Sequence, residues 1–338
     1  MMKRRTIRLA CLVLLSMFAV CTAFALGSDK LYIADLRTGD TIERNTCSGM
    51  EDVEKVVGVD EANSCFYTLQ IRPIEDKYKY LFRTWDYSGN VVREKPLVFP
   101  EPKTFPAFSP DFNFAAIALP ARNECVLYDI LSDTERTIPM PCGWYGAQPA
   151  WIDKTTFVVA LRIEPGRIGL FHIDTTNNKT ELIVENPSFT EDASASMLVS
   201  PDGHYLAFSN SKLVVVDLTA RKALPINAEV FPLRNVLAWS PGSNRLAFAT
   251  GERPFCTKII SIPDGEEVGK IEKPSLPSKF LDENRLLCMS GMKLEVINLK
   301  TGETESSIGL KGNWEEMWGP FTPIDNDTKV VYTYDPSP

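Results

Sequence analysis

Residues 199–219 read Val199-Ser-Pro-Asp-Gly-His-Tyr-Leu-Ala-Phe208-Ser-Asn-Ser-Lys-Leu213-Val-Val-Val-Asp217-Leu-Thr219. Pro201 fixes φ and Gly203 supplies a positive φ, so Ser-Pro-Asp-Gly predicts a tight turn. The apolar run that follows, Tyr205 to Phe208, is too short for a stable helix and reads as a strand. A second apolar run, Leu213 to Val216, ends at Asp217, a residue whose short side chain favours turns over continued strand. Two short strands between two turns are therefore written into 19 residues.

The same unit recurs along the chain. Strands ending in a polar residue before a turn finish at Asp35, Asp86, Asp129, Asp174, Asp217, Ser261 and Asn298. Apolar cores of the preceding strand start at Cys65, Phe114, Phe157, Leu206, Leu246, Leu286 and Val330. The spacing is 37 to 51 residues in both series. A period of ~40–50 residues with about four short strands per unit predicts an all-β propeller. The first third-strand, Leu31 to Asp35, precedes any second-strand, and the last second-strand, from Val330, has no third-strand after it. The two chain ends are thus expected to share one blade, giving seven, with boundaries near residues 50, 100, 142, 188, 229, 275 and 313. Such closure removes the exposed edges of an open sheet. No 3.6-residue apolar pattern persists after the N-terminal segment, which excludes a helical domain.

Phe108-Ser-Pro-Asp, Val199-Ser-Pro-Asp-Gly-His-Tyr-Leu-Ala-Phe and Trp239-Ser-Pro-Gly-Ser-Asn-Arg-Leu-Ala-Phe resemble the repeat of TolB-like, WD-related propellers. Asp35-Leu-Arg-Thr-Gly-Asp and Asn298-Leu-Lys-Thr-Gly-Glu resemble the turn between third and fourth strands of the same repeats. Ala150-Trp-Ile-Asp-Lys and Leu281-Asp-Glu-Asn are degenerate versions, and the first blade is poorer still. The resemblance implies fold and says little of function, since propellers host binders and enzymes alike.

The amino terminus reads as an export signal occupying 1–25, with the propeller over 26–338. Basic Lys3, Arg4, Arg5 and Arg8 precede an apolar stretch from Leu9 to Cys21, and Ala23-Phe-Ala25 offers a small-x-small cleavage site. The apolar run is short for a ~20-residue span, so no membrane span is expected in the mature chain. The expected compartment is periplasmic or extracellular. Removing the segment leaves 32 basic against 44 acidic residues, a balance of −12. Nucleic acid is therefore not an expected partner, because it demands dense positive charge. Six of the 8 cysteines follow the signal; Cys47 with Cys65 and Cys125 with Cys142 are the nearest pairs if disulfides form, and buried thiols are the alternative. No Cys-x-x-Cys occurs and no cofactor is called for.

Catalytic material is thin. His172 falls in a strand pattern and His204 in a Ser-Pro-Asp-Gly-His turn, and neither accompanies a Gly-x-Ser-x-Gly or His-Glu-x-x-His motif. Asp325-Asn-Asp327 lacks the Gly and distal Glu of a calcium loop and reads as a solvated turn. The favoured reading is a non-catalytic scaffold binding a protein, peptide or glycan; the alternative is a hydrolase or lyase using channel carboxylates and a divalent metal. Repeat phase puts Trp144, Tyr145 and Trp314 in fourth-to-first strand loops, with Arg122 and Arg253 in second-to-third strand loops on the same face. Aromatic and Arg side chains commonly anchor interfaces. The plainer expectation for Trp144 is packing at a blade junction beside Cys142.

Overall fold

The computed structural model describes residues 30–334, apart from 46–52, 75–76, 100–105, 146–147, 187–195, 211, 227, 231–235, 251–255 and 311–316. Thirty strands form seven antiparallel sheets. Six are continuous in sequence, at 53–97, 107–139, 143–186, 196–229, 237–274 and 276–309, and are numbered blades one to six. Blade seven takes Met317–Ile324 and Lys329–Tyr334 from one end of the chain and Lys30–Asp35 and Thr41–Asn45 from the other. Ile33 sits between Val331 on one side and Ile42 on the other. The blade boundaries agree with those expected from the spacing of the turns.

The hydrophobic core is distributed over the seams between blades, because each sheet has two apolar faces and no interior of its own. Each of the seven seams holds one buried cluster. Val158 and Leu170 of blade three meet Leu206 and Phe208 of blade four. Leu31, Ile33 and Val331 of blade seven meet Val56, Phe66 and Trp85 of blade one. That last cluster closes the ring, and the N-terminal strand supplies two of its seven buried residues, Leu31 and Ile33. Trp85 and Trp239 are buried, as their strand patterns imply, and Trp151 is half-buried. Two of these indoles tie neighbouring blades together near the axis: Trp151 Nε1 donates to Ala107 O at 2.9 Å, and Trp239 Nε1 to Leu198 O at 3.0 Å.

One end of the ring is built from repeated side-chain caps. In six of the blades the residue ending the third strand accepts backbone N–H groups of its own turn: Asp35 from Arg37 and Thr38, Asp129 from Leu131 and Ser132, Asp217 from Ala220, Asn298 from Lys300. In six blades the next residue also donates its N–H to the first-to-second strand turn, as Ile130 does to Asn113 O and Leu218 to His204 O. The caps hold the Asp35, Asp86 and Asp174 carboxyls below their ordinary range; for Asp35 the leading cause is the Thr38 N–H.

Two expectations change. Cys125 and Cys142 pack in the same seam but are not joined, and Cys65 is likewise a free thiol; Cys47 lies outside the described residues. Burial pushes the Cys125 thiol up to about 12, the behaviour of a small buried hydrophobe. Asp325-Asn-Asp327 is a turn with three successive positive φ values, but it is not simply solvated: Asp325 pairs with Lys329 at 2.8 Å and Asp327 lies 4.0 Å from Lys279. Among the described residues no helix is long and apolar enough to cross a membrane. Residues 1–29, where the export signal is expected, lie outside the described residues.

Candidate functional site

The first strand of blade three is interrupted. Gly143–Trp144 and Ala150–Trp151 both pair with the second strand, Thr156–Glu164, and the chain leaves the ladder between them. Trp144 and Tyr145 are therefore not loop residues: Trp144 stands opposite Leu161, and Tyr145 N–H donates to Ala160 O at 3.2 Å. Successive strand residues face opposite sides of a sheet, which separates the pair. Trp144 turns into the seam between blades two and three, half-buried against Cys142 and its neighbours. Tyr145 turns into the seam between blades three and four, 5% exposed, with its ring 6.4 Å from Phe208. Tyr145 is a core residue, and its place among the ligand-facing side chains is withdrawn.

Arg122 is placed where repeat phase puts it. It ends a short 3-10 turn, Pro120–Arg122, between the second and third strands of blade two, and is exposed. The following residue, Asn123, has φ of 53° and hinges this turn onto blade three's neighbourhood. Its carbonyl accepts the Met140 N–H at 2.9 Å, and its Oδ1 lies 4.0 Å from where a Cβ on Gly143 would stand. Gly143 in turn faces Arg162 across the ladder. Arg122 and Arg162 are thus both exposed on the loop-bearing end of adjacent blades, and Arg162 pairs with the strand that carries Trp144. The pairing of Arg162 with Gly143 is not legible in the sequence, because a two-residue strand has no periodicity. Arg167, close by, is occupied by Glu185 and Glu164. Arg253 and Trp314 lie outside the described residues. Trp318, read as a loop residue, belongs to the first strand of blade seven, opposite Thr333.

Neither histidine joins this group. His204 is on the opposite end of the ring, its Nδ1 3.3 Å from Asp202 Oδ2, and His172 lies mid-strand between Val158 and Glu181. Among the described residues no three His, Cys, Asp or Glu side chains are grouped to hold a metal ion.

A separate cavity of about 360 Å³ is lined by first-strand residues of three consecutive blades. Ser196 to Val199 come from blade four, Leu237 to Trp239 from blade five, and Ser278 and Lys279 from blade six, with Pro201 from the adjoining turn. First strands have no sheet partner on their inner side, so this cavity belongs to the wall of the central channel.

No family model matches the chain, and no curated protein matches it. Solved structures do. The Cps50 (Swd1) β-propeller domain of Myceliophteria thermophila aligns with a TM-score of 0.50 at 11% identity, over 83% of this chain and 99% of that one. A chain of the mitotic checkpoint complex aligns with a TM-score of 0.54 at 14% identity, over 84% of this chain and 90% of that one. Identities this low show the fold alone. The protein is a seven-bladed β-propeller.

Proposed function

We propose that this protein is an exported, non-catalytic propeller scaffold that binds a protein or peptide partner on the loop-bearing end of the ring, at Arg122, Arg162 and the exposed edge of Trp144. One observation carries the reading: Arg122 and Arg162 are both exposed on the loop-bearing end of adjacent blades, and Arg162 pairs with the short strand that carries half-buried Trp144, in a chain that is otherwise acidic. A guanidinium offers paired donors to a carboxylate or to peptide carbonyls, and an adjacent aromatic supplies area that desolvates them. Both solved neighbours are propellers, and one is part of a multiprotein complex. Export rests on the basic-then-apolar sequence of residues 3–25, and N-terminal sequencing of protein recovered from the periplasm or medium should begin at Leu26. The Ser-Pro-Asp-Gly turns align the chain with the TolB-like branch of propellers, in keeping with that compartment.

The binding reading is tested by selecting a random displayed peptide library on the purified chain and re-measuring the winners on Arg122→Glu. Enriched peptides should carry a carboxylate and bind the variant at least tenfold more weakly. Peptides that bind the variant equally well, or no enrichment at all, would remove the rim as a binding site.

A further inference from the structure

The channel-wall cavity is chemically one-sided. Met197, Leu198, Val199, Leu237, Ala238 and Trp239 supply an apolar wall, and among the described residues the single charged one lining it is Lys279. Among the described residues no carboxylate lines it. Lys279 is half exposed, and its Nζ lies 4.0 Å from Asp327 Oδ1, beyond hydrogen-bond range. An ammonium has three donors, so an ion pair this loose leaves it able to receive a second carboxylate.

Trp239 is held by its bond to Leu198 O, so its ring forms a fixed wall of the space. A volume of this size sits at the small end of ligand pockets, which run about 300–1,000 Å³.

We infer that this cavity receives the C-terminal residue of a peptide, with its apolar side chain against Met197, Leu237 and Trp239 and its α-carboxylate on Lys279. The occupant follows from two features of the site. A channel ringed by seven blades admits a chain end more readily than an internal segment, which would have to enter and leave. An apolar wall with one cation and no anion matches an apolar side chain carrying one adjacent carboxylate. The inference goes beyond the rim site and does not need it, since neither Arg122 nor Arg162 lines the cavity.

The probe is N-acetyl-Gly-Gly-Leu with a free carboxylate, compared with the same peptide as its C-terminal amide, titrated into the full chain by calorimetry and tryptophan fluorescence. The acid should saturate and the amide should bind at least tenfold more weakly. Lys279→Met should weaken the acid to the level of the amide and leave the amide unchanged. Equal affinities for acid and amide, no saturation by the acid at millimolar concentration, or an unaltered affinity in Lys279→Met would each overturn the assignment. Arg122→Glu should leave the acid's affinity unchanged, so failure here and failure of the rim reading are told apart.

Discussion

The two ends of the ring are made from the same thirty strands and solve opposite problems. At the turn end, a side chain closes each third-to-fourth strand connection on its own backbone. Asp86, for example, accepts the N–H groups of Ser88 and Asn90, both at 2.9 Å. At the loop end, connections differ from blade to blade: a 3-10 turn after Leu119, a Gly-containing hairpin between Glu164 and Arg167, and an interrupted strand at Gly143–Trp144. Local capping makes the turn end repetitive, and the loop end is where side chains from different blades can be combined. The carboxylates of the turn end are largely spent on holding the chain, whereas Arg122 and Arg162 sit on the end that is free to vary.

The comparison can be broken most forcefully at the closure. Deleting residues 26–45 strips the outer two strands from blade seven and removes Leu31 and Ile33 from the seam with blade one. An unpaired strand from Lys329 to Tyr334 should then drive self-association. Size-exclusion chromatography should show oligomers or aggregate, and a monomer with the full-length melting temperature would refute closure of the ring.

A smaller effect separates the two adjacent aromatics. Tyr145→Ala empties part of a dry seam and should cost about 3–5 kcal/mol in denaturant unfolding. Trp144→Ala, half-buried, should cost about 2 kcal/mol and also weaken binding of selected peptides. Equal losses of stability with no change in binding would return Trp144 to a purely packing role.

Gly58 tests the seam between blades one and two. A Cβ there would stand 1.9 Å from the Phe112 ring, which is stacked near Tyr67 with centroids 4.2 Å apart. Gly58→Ala should lose about 1–3 kcal/mol by overpacking, and adding Phe112→Leu should recover part of it. Additive losses in the double variant would mean that the two positions do not meet.

The smallest effect belongs to a single cap. Asp86→Ala should cost about 1 kcal/mol, the scale of a lost side-chain cap. The Asn90 N–H is the largest cause holding the Asp86 carboxyl below its ordinary 3.8. A depressed folded-state value means the stabilisation is present above 3.8 and is lost as pH falls through the lower folded-state value. The stability of the unaltered chain should therefore fall below about pH 4, and Asp86→Ala should show a shallower decline. Parallel pH profiles would contradict the assignment.

The turn end was legible in the sequence almost residue by residue, because Ser-Pro-Asp-Gly and Asp-x-x-Gly carry their own conformational reasons. Six of the seven strand-ending residues cap their turns as read, and only Ser261 lacks the carboxyl or amide to do so. The order of units also gave the shared blade. The loop end was legible only in part. Arg122 is where the phase of the repeat puts it, but the two-residue strand that turns Tyr145 inward has no period to detect. The channel cavity was hidden for another reason: it is lined by the first strands of three consecutive blades, and no single strand pattern shows how they meet. The cysteine pairs failed because nearness in sequence does not aim two thiols at each other.

The contrast between the two ends is tested most directly by photocrosslinking. A peptide selected on the unaltered chain, carrying a benzophenone beside its carboxylate, is irradiated in complex and the adducts are mapped by mass spectrometry. Adducts are expected at 120–123, 143–144 and 162–167, on the loop end, with exposed Leu131 of the turn end unlabelled. Labelling concentrated at 86–90 or 129–133 would place the partner on the capped turns and contradict the account.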